Sequence, residues 1–234
     1  MWTREELKSN AKNVLRTTYW NAFLVSLVVS LLAGTRGGNI SYSFPSKNGF
    51  GEFDIRIMGF VIAASLAVTL LSLVFRIFVG YAFEVSDKKF YISNTVNDSN
   101  ISYLGYSFGQ GRYGNILKTM LYRGVLIFLW TLLFIIPGII KGYAYRMVPY
   151  ILAENPEMDS TEALHLSEKM TMGHKLDMWV LDLSFIGWYL LGVLACGIGV
   201  LFVTPYQSAT NVELYLRLKE NIETEGIPKY DKEY

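Results

Sequence analysis

The sequence predicts an all-α integral membrane protein: about six transmembrane helices arranged as hairpins, with short amphipathic surface helices on the cytoplasmic side. Three observations predict it. The first is composition: the 234 residues are 52% hydrophobic and 15% aromatic, and only 18% are charged, against about 25% in soluble domains. Mean hydropathy is accordingly positive, at +0.28. The second is the clustering of the charges, which leaves Thr17–Thr35, Ile57–Phe75, Gly124–Ile140 and Leu183–Val212 without any. A helix crossing a ~30 Å hydrocarbon core takes roughly 20 apolar residues; two of the stretches meet that, and the last is too long for one crossing. The third is that Lys and Arg fall on one side of the resulting plan, as shown below.

Along the chain, residues 1–16 read as a surface helix. Thr3 and Glu6 have capping-box spacing. Leu7, Ala11, Val14 and Leu15 form an apolar stripe, while Lys8, Lys12 and Arg16 recur every four residues on another face. Such a face rests on anionic headgroups, at about 1 kcal/mol per cation near the surface, or packs on the protein's own loops. The span at 17–35 follows a charged helix and lacks a small-residue cleavage site, so it reads as a retained anchor rather than a signal peptide.

A Gly-, Ser- and Asn-rich loop, 34–56, precedes a second span at 57–83. Residues 84–120 are polar, with helix expected near GRYGNILKTM. From Lys118 to Pro156 there is room for two spans, 118–137 and 138–156, if the chain turns at Pro137-Gly138, where a missing N–H and a permissive backbone both help. The rival is one span to Ile140 followed by an interfacial segment. Residues 157–175 read as another surface helix, started by Asp159 and Glu162 and stopped at Gly173. Spans 177–195 and 198–216 close the single membrane domain, 1–218, and 219–234 form a charged cytoplasmic tail.

With the N-terminus inside, fifteen of the 21 Lys and Arg residues face the cytoplasm. Only Arg36, Lys47 and Arg56 fall outside, and Arg76, Lys141 and Arg146 fall within spans. The positive-inside rule therefore puts both termini in the cytoplasm. A weak repeat, Asn13–Thr17 against Asn115–Thr119, hints at units of surface helix plus hairpin.

Ionisable residues inside a span cost about 2.5–3.5 kcal/mol on insertion scales, so four stand out as candidates: Arg76, Lys141, Arg146 and Asp182. Arg146 lies ~12 Å and Asp182 ~7.5 Å below the cytoplasmic edge, close enough in depth to pair and offset each other's desolvation. Lys141 sits near the outer turn and can snorkel outward. Arg76 can snorkel inward or reach Glu84. In the last span Gln207, Thr210 and Asn211 share one face, with Glu213 near the inner end; this face points into the bundle.

No zinc-ligand pattern, Walker A loop, nucleophile elbow or dinucleotide fingerprint is present. Two histidines and the single Cys196 leave no candidate metal, cofactor or catalytic set. A net charge of +1 gives no bulk attraction for nucleic acid. The expectation is a non-enzymatic membrane protein that binds lipid, through anionic headgroups, or another membrane protein. The alternative is a small transporter or channel using Arg146 and Asp182.

The segments LKSNAK, RYGNILKTM, FLWTLLFIIPGIIKGYAYRMVPYILAENP, EALHLSEKMTMGHK, LDLSFIGWYLL and TPYQSATNVELY resemble an uncharacterised membrane family, widespread in Gram-positive bacteria and known only as a domain of unknown function (number 975). The resemblance covers nearly the whole chain, and PGIIK…YRMVPYILAENP is its most specific part. It implies a multi-pass protein of the bacterial cytoplasmic membrane and assigns no catalytic residue. The same block followed by EALHLSEKM is faintly similar to membrane domains fused to glycerophosphodiester phosphodiesterases, which implies lipid-related work.

Overall fold

The computed structural model describes residues 3–32, 55–109, 111–194 and 198–224, and all regular structure among them is helical. The helices are α1 (Arg4–Leu32), α2 (Ile55–Phe75), α3 (Tyr81–Thr95), α4 (Arg112–Leu133), α5 (Ile135–Ala144), α6 (Val148–Glu154), α7 (Ser160–Thr171), α8 (Lys175–Leu194) and α9 (Ile198–Thr224). A π-helical stretch, Arg76–Gly80, joins α2 to α3, and a 3₁₀ helix occupies Ile101–Phe108.

Three helical stretches are long and apolar enough to cross a membrane: Ile62–Thr95, Arg112–Leu133 and Lys175–Leu194. They mark the protein as membrane-associated. Large side chains stand exposed along them, among them Leu66, Leu70 and Leu71 on α2, Phe128 and Leu132 on α4, and Leu190 and Leu194 on α8. Soluble monomers rarely expose contiguous apolar patches beyond a few hundred Å². At the other end the same helices close into a conventional core. It holds Leu7, Ala11 and Leu15 of α1, Val85 and Phe90 of α3, Ile116 and Met120 of α4, and Leu214, Tyr215 and Leu218 of α9. The molecule thus divides into an exposed apolar belt and a packed helical head.

Several element boundaries differ from the sequence expectation. The surface helix and first span are a single helix, because no Gly or Pro interrupts residues 3–32. The Thr3 hydroxyl accepts from the Glu6 N–H at 3.2 Å, as capping spacing predicts. The stripe Leu7, Ala11, Leu15 is buried, with α1 packed along α9. The second span does not stop at 83. Helix continues to Thr95, and Ile62–Thr95 alone is 34 residues, about 51 Å, so α3 reaches well into the head.

The helix breaks at Phe134, which is extended (φ −154°, ψ 141°), not at Pro137-Gly138. Pro137 sits in the first turn of α5, where a missing N–H costs nothing. Gly138 serves packing instead: a Cβ there would lie 2.7 Å from the Thr131 Cα. The second arm is not one span but α5 and α6, broken at Tyr145–Met147, and α6 is buried in the head. The helix over 157–175 is confined to Ser160–Thr171 and is no loose surface helix: Ala163, Leu164, Ser167 and Met170 are buried against α4, α5, α6 and α9. Asp159 caps it through the Thr161 N–H, and Gly173, at φ +80°, ends the segment. α9 runs past 218 to Thr224, so the tail begins later than expected. Loop 34–54, Cys196 and residues 225–234 lie outside the described residues.

Candidate functional site

The break between α5 and α6 builds the most elaborate polar cluster. Pro149 at the start of α6 cannot donate, and the Val148 N–H turns to the Tyr145 carbonyl. The Ala144 carbonyl is left without its helical donor, and the Met147 N–H without its acceptor. Two buried hydroxyls of α7 take their places. Ser167 donates to the Ala144 carbonyl at 2.7 Å and accepts from the Met147 N–H at 3.2 Å. Thr171 adds a bond to Ala144 at 3.3 Å. The break is therefore a satisfied backbone feature, in keeping with the requirement that buried backbone groups be paired.

It also aims Tyr143 and Arg146 at α8 and α9. Arg146 grips Asp182 through two parallel bonds, Nη1 to Oδ2 at 2.7 Å and Nη2 to Oδ1 at 2.8 Å. Its Nη2 also donates to the Asn211 Oδ1 at 3.0 Å. The Tyr143 hydroxyl donates to the Asp182 Oδ2 at 2.9 Å. The Arg146 and Asp182 side chains are 18% and 29% exposed. Two-pronged, charge-assisted geometry of this kind is the strong form of ion pair. It clasps three chain elements; two residues along α8 from Asp182, the Ser184 hydroxyl is bonded to the Leu181 carbonyl.

The other predicted residues scatter. Lys141 does not reach outward: its Nζ lies 2.7 Å from the Glu168 Oε1 on α7 and near the Tyr145 ring. The reason is the turn at Phe134, seven residues and about 10 Å away, which leaves Lys141 closer to the head. Arg76 is exposed at the start of the π-helical stretch, with no ion pair among the described residues, and Glu84 accepts from Arg123 at 3.2 Å. The α9 residues split among neighbours. Gln207 accepts from the Tyr189 hydroxyl, Glu213 accepts from Asn10 at 3.5 Å, and Thr210 bonds back to Tyr206. Tyr143, Glu168, Ser167 and Thr171 were not singled out by sequence. Tyr143 was findable, since i, i+3 spacing places it on the face of Arg146; the α7 residues were not, because their partners are set by tertiary packing. The repeat has no shared role: Asn115 holds the Pro156 and Met158 carbonyls, while Asn13 is exposed.

A second feature is a cleft of about 760 Å³ between the first turns of α1 and the start of α8, lined by Thr3, Arg4, Glu5, Lys8, His174, Asp177, Val180 and Ser184. Among the described residues, Arg4, Lys8, Lys12 and Arg16 have no carboxylate within ion-pair distance. Lys8 and Lys12 lie over the rings of Phe185 (4.5 Å) and Tyr206 (5.9 Å) instead. Burial first, then the like charges of Arg4 and Lys12, hold the Lys8 ammonium below its ordinary pKa. Among the described residues no cluster of His, Cys, Asp and Glu could hold a metal ion.

No curated protein and no solved structure matches the chain. Residues 132–222, from the last turn of α4 to the last turn of α9, contain the whole Arg146 cluster and match a family model. That segment carries the signature of the family described as Protein of unknown function (DUF975).

Proposed function

We propose that this is a non-enzymatic, multi-pass membrane protein of the bacterial cytoplasmic membrane that binds anionic lipid headgroups through the basic face of α1. The observation that carries this reading is the row Arg4, Lys8, Lys12, Arg16, one cation per helical turn, with no carboxylate partner among the described residues. The adjoining apolar face of α1 is committed to α9, so the row is held rigidly and need not order on binding. Four cations near a lipid surface amount to about 1 kcal/mol each, falling with salt. The test is thermal unfolding of the purified chain in nanodiscs of phosphatidylglycerol or phosphatidylcholine. We expect a higher midpoint in phosphatidylglycerol, diminished by salt and by the quadruple Arg4, Lys8, Lys12, Arg16→Gln variant. Equal midpoints in the two lipids would sink the reading.

A transporter or channel is the second reading, favoured by the broken helix beside Arg146 and Asp182, since irregular backbone at membrane depth is tolerated where it lines a cavity or is buried in protein. The pair is closed by Tyr143 and Asn211, which supports a clasp over a pathway. Solute flux into proteoliposomes that Asp182→Asn abolishes would reverse that preference.

A further inference from the structure

The cleft between α1 and α8 differs from the rest of the basic row in one respect: acceptors line it together with its cations. Arg4 and Lys8 share it with the carboxylates of Glu5 and Asp177 and the hydroxyls of Thr3 and Ser184. Asp177 has its Oδ2 3.7 Å from the His174 Nδ1 and is more than half exposed, so it keeps acceptor capacity to spare. The N-terminal ends of two helices line it, so their positive dipole ends add to the field of the cations. Its volume, about 760 Å³, is in the range of small-molecule sites. On the adjoining face of α8, Leu176, Trp179 and Leu183 are exposed, providing an apolar track that begins at the cleft. A ligand suited to all of these features has a phosphate, a donor-bearing end a few atoms away, and acyl chains.

We propose that this cleft binds one phospholipid whose headgroup ends in hydrogen-bond donors, an ammonium or hydroxyls. Arg4 and Lys8 hold the phosphodiester, Asp177 and Glu5 accept from the headgroup's end, and the chains lie along Leu176, Trp179 and Leu183. The inference rests on the lipid-binding reading above but concerns a discriminating site rather than attraction to a charged surface. A trimethylammonium headgroup presents the same phosphate with no donor and is the discriminating probe.

The experiment compares phosphatidylethanolamine with phosphatidylcholine, which carry equal charge, at a fixed minor fraction of phosphatidylglycerol in nanodiscs. Lipid retained per chain is counted by native mass spectrometry. A charge-assisted hydrogen bond of ordinary strength gives roughly tenfold or greater preference, so one phosphatidylethanolamine per chain should persist where phosphatidylcholine is lost. Phosphatidylglycerol, offered alone against phosphatidylcholine, tells a hydroxyl-ended ligand from an ammonium-ended one. Asp177→Asn should abolish the phosphatidylethanolamine preference, and Lys8→Gln should weaken retention of every phospholipid. Lys12→Gln with Arg16→Gln should leave the preference intact. Equal retention of phosphatidylethanolamine and phosphatidylcholine by the wild-type chain overturns the site without any variant, and so does loss of preference in the Lys12, Arg16 variant alone. A wild-type chain that keeps this preference but ignores anionic lipid would sink the surface reading and leave the cleft standing.

Discussion

Arg146 shows how a permanent cation is accommodated in an otherwise apolar stretch. The guanidinium spends two N–H groups on Asp182 and one further bond on Asn211, while Tyr143 fills another lone pair of the carboxylate. Removing one member of a fully buried pair costs about 3–5 kcal/mol because the other is stranded. Both side chains here are partly exposed, so the cost should fall below that range. Arg146→Ala and Asp182→Ala should each lower the unfolding midpoint in detergent, and the double variant should lose less than the sum. Additive losses would show that the two charges are stabilised independently.

The α5–α6 break depends on α7. Ser167 replaces an acceptor and a donor of the interrupted helix at once, with Thr171 in support. Ser167→Ala should strand the Met147 N–H and weaken the bond to Ala144, at about 1–3 kcal/mol for an unsatisfied buried group. Adding Thr171→Val should deepen the loss, because the Ala144 carbonyl then has neither hydroxyl. Thermal unfolding of the two variants checks this; unchanged midpoints would mean that water or a rearranged backbone caps the break. The contact between α8 and α9 relies on small size instead. A Cβ on Gly199 would lie 2.6 Å from the Gly192 Cα, and one on Gly192 would lie 2.7 Å from the Val200 N.

Across the whole molecule, the packed head carries the basic row of α1, α7 and the inner end of α9, while the apolar belt carries none of the row. Under the positive-inside rule, a head that carries this row is expected on the cytoplasmic side. In a Cys196→Ser background, a cysteine at Glu157 should react with an impermeant maleimide only after permeabilisation, and one at Lys47 should react in intact cells. The reverse pattern would invert the molecule.

Composition and run length by themselves determined that the chain is helical and apolar enough for a membrane, because a bilayer demands long uncharged helices whatever their neighbours. Local chemistry likewise determined the caps: Thr3 and Asp159 need only backbone N–H groups two or three residues away. The depth argument brought Arg146 and Asp182 to the same level, since rise per residue is fixed once a helix is granted. Element ends were decided elsewhere. Nothing local halts the second span at residue 83 or moves the break from Pro137 to Phe134; packing of α3 into the head and the contact of Gly138 with Thr131 decide both. Lys141 finds Glu168 27 residues away, and Ser167 finds the Ala144 carbonyl 23 residues away. Such pairings depend on where α7 docks, a property of the assembled core that no short stretch of sequence contains.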